Sequence, residues 1–118
     1  MKIRLTVKHN SVTAKLVDNP TTRDFVSLLP LTLRMSDLAK REKFGHLPQA
    51  LCDDGRHTHT YALGDIAYWP PGPDIAIFYH HDGERIPHPG IVVIGKIGAA
   101  VQAFDEPGSL TVTMELVR

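Results

Sequence analysis

Gly64-Asp65-Ile66-Ala67-Tyr68-Trp69-Pro70-Pro71-Gly72-Pro73-Asp74-Ile75-Ala76-Ile77-Phe78-Tyr79 is the stretch around which the chain is built. Two apolar, β-forming runs, Ile66 to Trp69 and Ile75 to Tyr79, flank Pro70-Pro71-Gly72-Pro73. Proline cannot donate to a strand ladder and glycine turns the chain cheaply, so the insert interrupts pairing. The reading is strand, rigid corner, strand. Trp69, Phe78 and Tyr79 concentrate aromatic bulk here, and aromatic side chains bury the most area of any. This predicts the centre of the core and one wall of any pocket.

Outward from the corner, the same period-two pattern recurs. Ile91-Val92-Val93-Ile94-Gly95-Lys96-Ile97 is a nearly continuous apolar run of strand length, which predicts burial on both faces. Gly98 to Phe104 predicts about one helical turn, and Leu110, Val112, Met114 and Leu116 alternate through a last strand. Towards the N-terminus, Ile3, Leu5 and Val7 alternate with polar residues, His9-Asn10-Ser11 turns, and Val12, Ala14 and Leu16 repeat the pattern. Residues 2–17 therefore read as a β-hairpin. Asp18-Asn19-Pro20-Thr21-Thr22 is dense in helix-start signals, with Asn or Thr as cap and Thr21 to Asp24 spaced as a capping box. Phe25, Leu28 and Leu29 give that short helix, near residues 20–29, one apolar face, and Pro30 stops it. Leu31, Leu33 and Met35 make a third strand. Residues 37–56 are polar and irregular and read as a long loop, with one short strand around Gln49 to Leu51.

A chain of 118 residues is read as a single domain, 1–118, able to bury one core. Hydrophobic residues make up 42%, too many for disorder. Lys plus Arg and Asp plus Glu both number 13, so no net field draws the chain to nucleic acid or an anionic membrane. The densest charge run, Lys40-Arg41-Glu42-Lys43, carries its own acid and reads as a solvated turn. No run is long enough to cross a bilayer, and the alternating start is unlike a signal peptide. Cys52 is alone, which excludes an internal disulfide and suits a reducing cytoplasm. It reads as an inert small residue rather than a reactive thiol. Seven or eight strands that do not alternate with helices exclude a doubly wound sheet. So many strands in so short a chain must close their edges, and a barrel plugged by the 20–29 helix does so.

Val92-Val93-Ile94-Gly95-Lys96-Ile97, with Val101 and Phe104 after it, resembles the Val-Val-Phe-Gly-Lys-Val segment of the cyclophilin superfamily. The Gly-Asp-Ile-Ala-Tyr-Trp-Pro-Pro-Gly corner with Ala76-Ile77-Phe78-Tyr79 is similar to the small prokaryotic cyclophilin-like proteins, a largely uncharacterised group. The resemblance runs from residue 2 to the final strand and implies a closed, eight-stranded barrel. Fold alone does not hand over function. Prolyl isomerases of this superfamily place a histidine directly before the Val-Val run, a tryptophan a few residues earlier, and an arginine on a strand. Here Ile91 precedes Val92, Ile86 stands near the tryptophan position, and Thr60 to Asp65 holds no arginine. The isomerase set does not carry over.

Other constellations are weaker. His57 and His59, two apart, would share a face of a strand, and paired imidazoles suit zinc, nickel or iron. A cupin would add a glutamate and a later histidine, but Ala62, Leu63 and Ile75 fill those places. Two ligands do not close a site. No metal and no cofactor are therefore expected. Of His80 and His81 at most one faces a barrel mouth, and His88 shares their loop. Arg34 and Arg85 are potential carboxylate anchors. Tyr68 and Trp69 point to opposite faces, so one lies outside the barrel interior or at its rim. Asp65, beside Gly64, reads as a turn residue.

The sequence thus predicts a mainly β, closed cyclophilin-like barrel of about eight strands that binds a small molecule or peptide. The expected pocket draws on Tyr61, Tyr68, Trp69, Phe78, His80 and Arg34. Catalytic residues are not identified. The rivals are a degenerate prolyl isomerase, a cupin-like metalloenzyme, and a structural or regulatory subunit. The last follows from the resemblance, which extends to subunits of amide- and lactam-hydrolysing complexes. Expected partners are a small molecule or peptide and a partner protein or second copy, not nucleic acid or membrane.

Overall fold

Eight antiparallel strands close on themselves in the computed structural model, which describes residues 1–53 and 55–118. They are β1 (Lys2–Val7), β2 (Asn10–Leu16), β3 (Leu31–Leu38), β4 (Glu42–His46), β5 (Asp65–Trp69), β6 (Asp74–Phe78), β7 (Val92–Ile97) and β8 (Leu110–Val117). A helix, α1 (Pro20–Ser27), follows β2, and a 3-10 helix (Ala99–Phe104) follows β7. The order around the barrel is β1-β2-β7-β5-β6-β4-β3-β8, and β8 returns to β1 with Leu5 opposite Met114. Full closure removes every exposed ladder edge.

Alternation sets which residues face inward. Ile3, Leu5 and Val7 of β1, Val12, Ala14 and Leu16 of β2, and Val112 and Met114 of β8 are buried in one interior cluster. Phe25 of α1 and Phe104 of the 3-10 helix join that cluster. The helix is pinned over β7: Asn19 Oδ1 accepts the Thr22 N–H at 2.7 Å, and Asn19 Nδ2 donates to the Val93 carbonyl. Asn19 is thus the cap. Asp24 does not complete a capping box but accepts the Cys52 N–H at 2.6 Å, while the Thr21 hydroxyl donates to the Cys52 carbonyl. These two bonds fasten the 47–53 segment to the helix.

The central pair differs from the rest because both its faces are buried. Ile66, Tyr68, Ile75 and Ile77 point into the barrel, whereas Ala67, Ala76 and Phe78 point outward into a second cluster with Tyr61, Ile86 and Ile91. Trp69 packs on this outer cluster and is only half-buried, so it is not the centre of the barrel core. The approach to β5 is tight. Gly64 has φ +89°, and a Cβ there would lie 2.3 Å from the Ile97 carbonyl oxygen. Only glycine fits.

Residues 37–56 are not one long loop. Glu42–His46 forms β4, which pairs with β3 through Phe44 opposite Ser36 and with β6 through Phe44 opposite Ala76. No strand forms at 49–51. The polar composition that suggested a loop comes from charged side chains that the fold buries. Lys43 has no exposed side-chain surface. Its Nζ lies 3.1 Å from Asp37 Oδ1, donates to the Gly108 carbonyl at 2.6 Å and to the Glu106 carbonyl, and stands 5.5 Å from the Tyr79 ring centre. The Tyr79 hydroxyl donates to the same Asp37 oxygen. Burial alone would raise the Asp37 carboxyl, but the bonds from Tyr79 and Lys43 outweigh it and hold the group below 3.8. Burial and the bond to Asp37 push the Tyr79 phenol upward.

Removing one member of a buried ion pair leaves the other uncompensated. Lys43→Ala is expected to destabilise the barrel by about 3 kcal/mol, at the low end for such losses because Asp37 keeps 21% of its side chain in solvent. Urea unfolding checks this, and a loss under ~0.5 kcal/mol, the size of a surface change, would refute it.

Candidate functional site

The outward faces of β4, β5 and β6 form the floor of a groove of about 210 Å³. Phe44, Trp69, Ala76 and Phe78 supply its apolar base, and Ile86, Pro87 and Ile91 form the opposite wall. That wall is held by backbone pairing. Thr58 and Ile91 form a bridge, and Ile86 exchanges bonds with His59, its N–H to the His59 carbonyl and its carbonyl to His59 Nδ1, both at 2.8 Å.

At one end stand Arg41 and Glu42, side chains that expose only 11% and 8% of their surface. Arg41 Nε donates to Glu42 Oε1 at 3.0 Å, and Nη2 donates to the same oxygen. Arg41 Nη1 lies 3.8 Å from Asp82 Oδ2. The guanidinium also sits 5.5 Å from the Tyr61 ring centre and 5.8 Å from that of Phe78. Tyr61 is itself sandwiched, stacked on Phe78 at 4.3 Å and on His81 at 4.5 Å. Its hydroxyl donates to Asp82 Oδ1 at 2.7 Å and accepts the Asp82 N–H at 3.0 Å. His81 Nε2 donates to the Tyr61 carbonyl and Nδ1 accepts the Gly83 N–H, which orients the ring.

Burial is the largest influence on Glu42 and lifts its carboxyl above 4.5, with help from Asp82 and Asp74 and against the pull of Arg41. Burial opposes the charge on Arg41 too, but Glu42 and Asp82 outweigh it and raise that group. Asp82 is lowered, first by the hydrogen bond from Tyr61.

Of the residues expected to build a pocket, Trp69 and Phe78 line the groove and Tyr61 supports it from behind Phe78. Tyr68 does not reach it. Its ring faces the barrel interior, where its hydroxyl accepts the Leu51 N–H at 3.0 Å. Arg34 is exposed on β3, opposite Thr111 of β8, away from the groove. The His80 side chain is exposed, and only its backbone N–H is engaged, with the Arg41 carbonyl. Asp65 is the turn residue it was read as, accepting the Ala62 N–H at 2.8 Å. His57 and His59 do not sit side by side on a strand. His57 Nε2 is 2.6 Å from Asp53 Oδ1, and His59 turns to Ile86. Among the described residues, no three His, Cys, Asp or Glu side chains gather to hold a metal ion.

Sequence reasoning missed Arg41, Glu42, Phe44 and Asp74. Arg41 and Glu42 lay inside a mixed-charge run indistinguishable from a solvated turn, and Phe44 was hidden because β4 was not seen. Ile86 was noted only as a replacement for an isomerase residue and Ile91 also as the start of a buried strand, yet both line the groove.

The model of the cyclophilin-like family matches residues 5–115. The chain belongs to the cyclophilin-like family. A hypothetical protein from Archaeoglobus fulgidus, solved in solution, superposes with a TM-score of 0.77, covering 99% of this chain and 95% of that one. Its identity of 22% makes this a likeness of fold. No curated protein matches. No helix among the described residues is long and apolar enough to cross a membrane.

The raised Glu42 carboxyl has a testable sign. A folded-state value above the unfolded one means that the folded protein holds its proton longer, so burying Glu42 is least unfavourable below 4.5 and most unfavourable above the raised value. The stability of the wild type relative to Glu42→Gln is expected to rise as pH falls from neutrality towards 4.5. Paired denaturant melts across that range measure it, and a difference that does not change with pH would show that Glu42 titrates normally.

Proposed function

We propose that this protein binds a small, largely apolar molecule in the groove outside β4, β5 and β6, and that it does not catalyse prolyl isomerisation. The observation that carries the reading is a concave apolar surface, built from Phe44, Trp69, Phe78, Ile86 and Ile91, with one polar pair at its end. Such a combination is the usual make-up of a small-molecule site. A volume of about 210 Å³ falls below the ~300–1,000 Å³ of drug-sized sites and suits a single ring or branched group. Support for the second half comes from the position before Val92, where Ile91 has no proton to donate. Arg41, the groove's arginine, is already committed to Glu42 and Asp82.

Trp69 is the chain's single tryptophan and lines the groove, so it reports binding directly. Titration with the neutral aromatic 2-phenylethanol is expected to give a saturable change in Trp69 fluorescence and in its indole N–H resonance. Ala76→Leu, which fills the groove floor, should abolish that change. An unaffected Trp69, or a response that survives Ala76→Leu, counts against the groove. In a protease-coupled assay on a proline-containing peptide, the rate should match the uncatalysed one. Turnover above background that persists through repurification would make the protein an isomerase and its occupant a peptide.

A further inference from the structure

Glu42 is more than a partner for Arg41. Both Arg41 donors converge on Oε1, which leaves Oε2 without a hydrogen bond to any described residue. The side chain is 8% exposed and lines the groove. A buried acceptor left without a donor is unfavourable, and one on a charged group more so. A group that enters the groove and donates to Oε2 removes that penalty.

The surrounding charge says which kind of donor. Two carboxylates, Glu42 and Asp74, line the groove beside the guanidinium of Arg41, and a third, Asp82, lies 3.8 Å from that guanidinium. Asp74 keeps 17% of its side chain exposed at the rim and, among the described residues, pairs with His46, 3.3 Å away and 69% exposed. The charge of Arg41 is offset by Glu42, hydrogen-bonded to its Nε and Nη2, and by Asp82, 3.8 Å from its Nη1, while the guanidinium lies over the Tyr61 and Phe78 rings. The local field therefore favours a cation, and low exposure strengthens that preference. The aromatic surfaces of Trp69 and Phe78 act in the same sense, since ring faces attract cations.

We infer that the groove takes an organic ammonium, its N–H donating to Glu42 Oε2 and its ring-sized or branched apolar body lying against Trp69, Phe78 and Ile91. The inference rests on the groove being a small-molecule site and adds the chemical class of the occupant.

Three probes of one shape, differing in the head group, separate the possibilities: 2-phenylethylammonium, 2-phenylethanol and 3-phenylpropanoate. Each is titrated at neutral pH into the wild type and into Glu42→Gln, following the Trp69 indole resonance, with far-UV circular dichroism confirming that the variant folds. A hydrogen bond to a charged acceptor predicts an ammonium affinity at least ~10-fold above that of the alcohol, about 1.4 kcal/mol, with the carboxylate weakest. In Glu42→Gln the ammonium and the alcohol should bind alike. If the variant does not fold, the order of the three probes in the wild type decides alone. Equal binding of alcohol and ammonium would overturn the assignment of Glu42 while leaving the groove as a small-molecule site. Tightest binding by the carboxylate would overturn it in favour of Arg41 as the reader. Failure of all three probes to move Trp69 would overturn this inference and the groove reading together.

Discussion

The ammonium of Lys43 is the constraint on which the closed end of the barrel depends. Taking an unpaired ammonium out of water costs several kcal/mol, so every group around it must be in place before burial is tolerable. Those groups come from separate parts of the chain: Asp37 on β3, Tyr79 just after β6, and the Glu106 and Gly108 carbonyls on the approach to β8. One side chain of β4 thus fixes where β3, β6 and β8 stand relative to each other. Apolar packing would hold these strands together in several registers. A buried charge with directional partners selects one.

The adjacent residue performs the opposite task on the other side of the same strand. Successive side chains of a strand alternate, so placing Lys43 inward places Glu42 outward. Outward does not mean into water here, because β5 and β6 carry a second apolar layer that the 57–61 and 86–91 segments cover. Glu42 is buried in that layer, with Arg41 folded over it. A carboxylate in such surroundings is held by fewer bonds than it can accept, and burial, outweighing the bonds from Arg41, raises its titration. The groove and its polar end therefore follow from the double burial of the central pair.

The barrel was legible where burial and alternation coincide. Ile3, Leu5 and Val7, or Leu110, Val112 and Met114, each present one wet and one dry face, and the hairpin and the last strand could be read from that pattern. The Pro-Pro-Gly-Pro corner was equally plain because proline chemistry is local. What stayed hidden was β4. Glu42-Lys43-Phe44-Gly45-His46 inverts the usual rule, with charges buried and an apolar ring half-exposed, since each charge finds its partner only in the closed barrel. Losing β4 also lost the polar end of the groove. The aromatic contributors Trp69 and Phe78 were visible because their bulk marks them in any context. Tyr68 was misplaced for a simpler reason: alternation says that it opposes Trp69 but not which of the two faces inward.

The departure from the isomerase pattern is a coordinated change in the character of one surface. Ile91 occupies the place where the resemblance puts a histidine, and Ile86 the place near its tryptophan, and both become wall. A wall without donors makes the groove drier, and a drier groove enlarges the effect of each remaining charge. With Arg41 paired to Glu42 and Asp82, the surplus charge is negative, and Glu42 Oε2 is an acceptor with no hydrogen bond to any described residue. In the proposed reading, the groove is arranged to hold something that brings its own proton to Glu42.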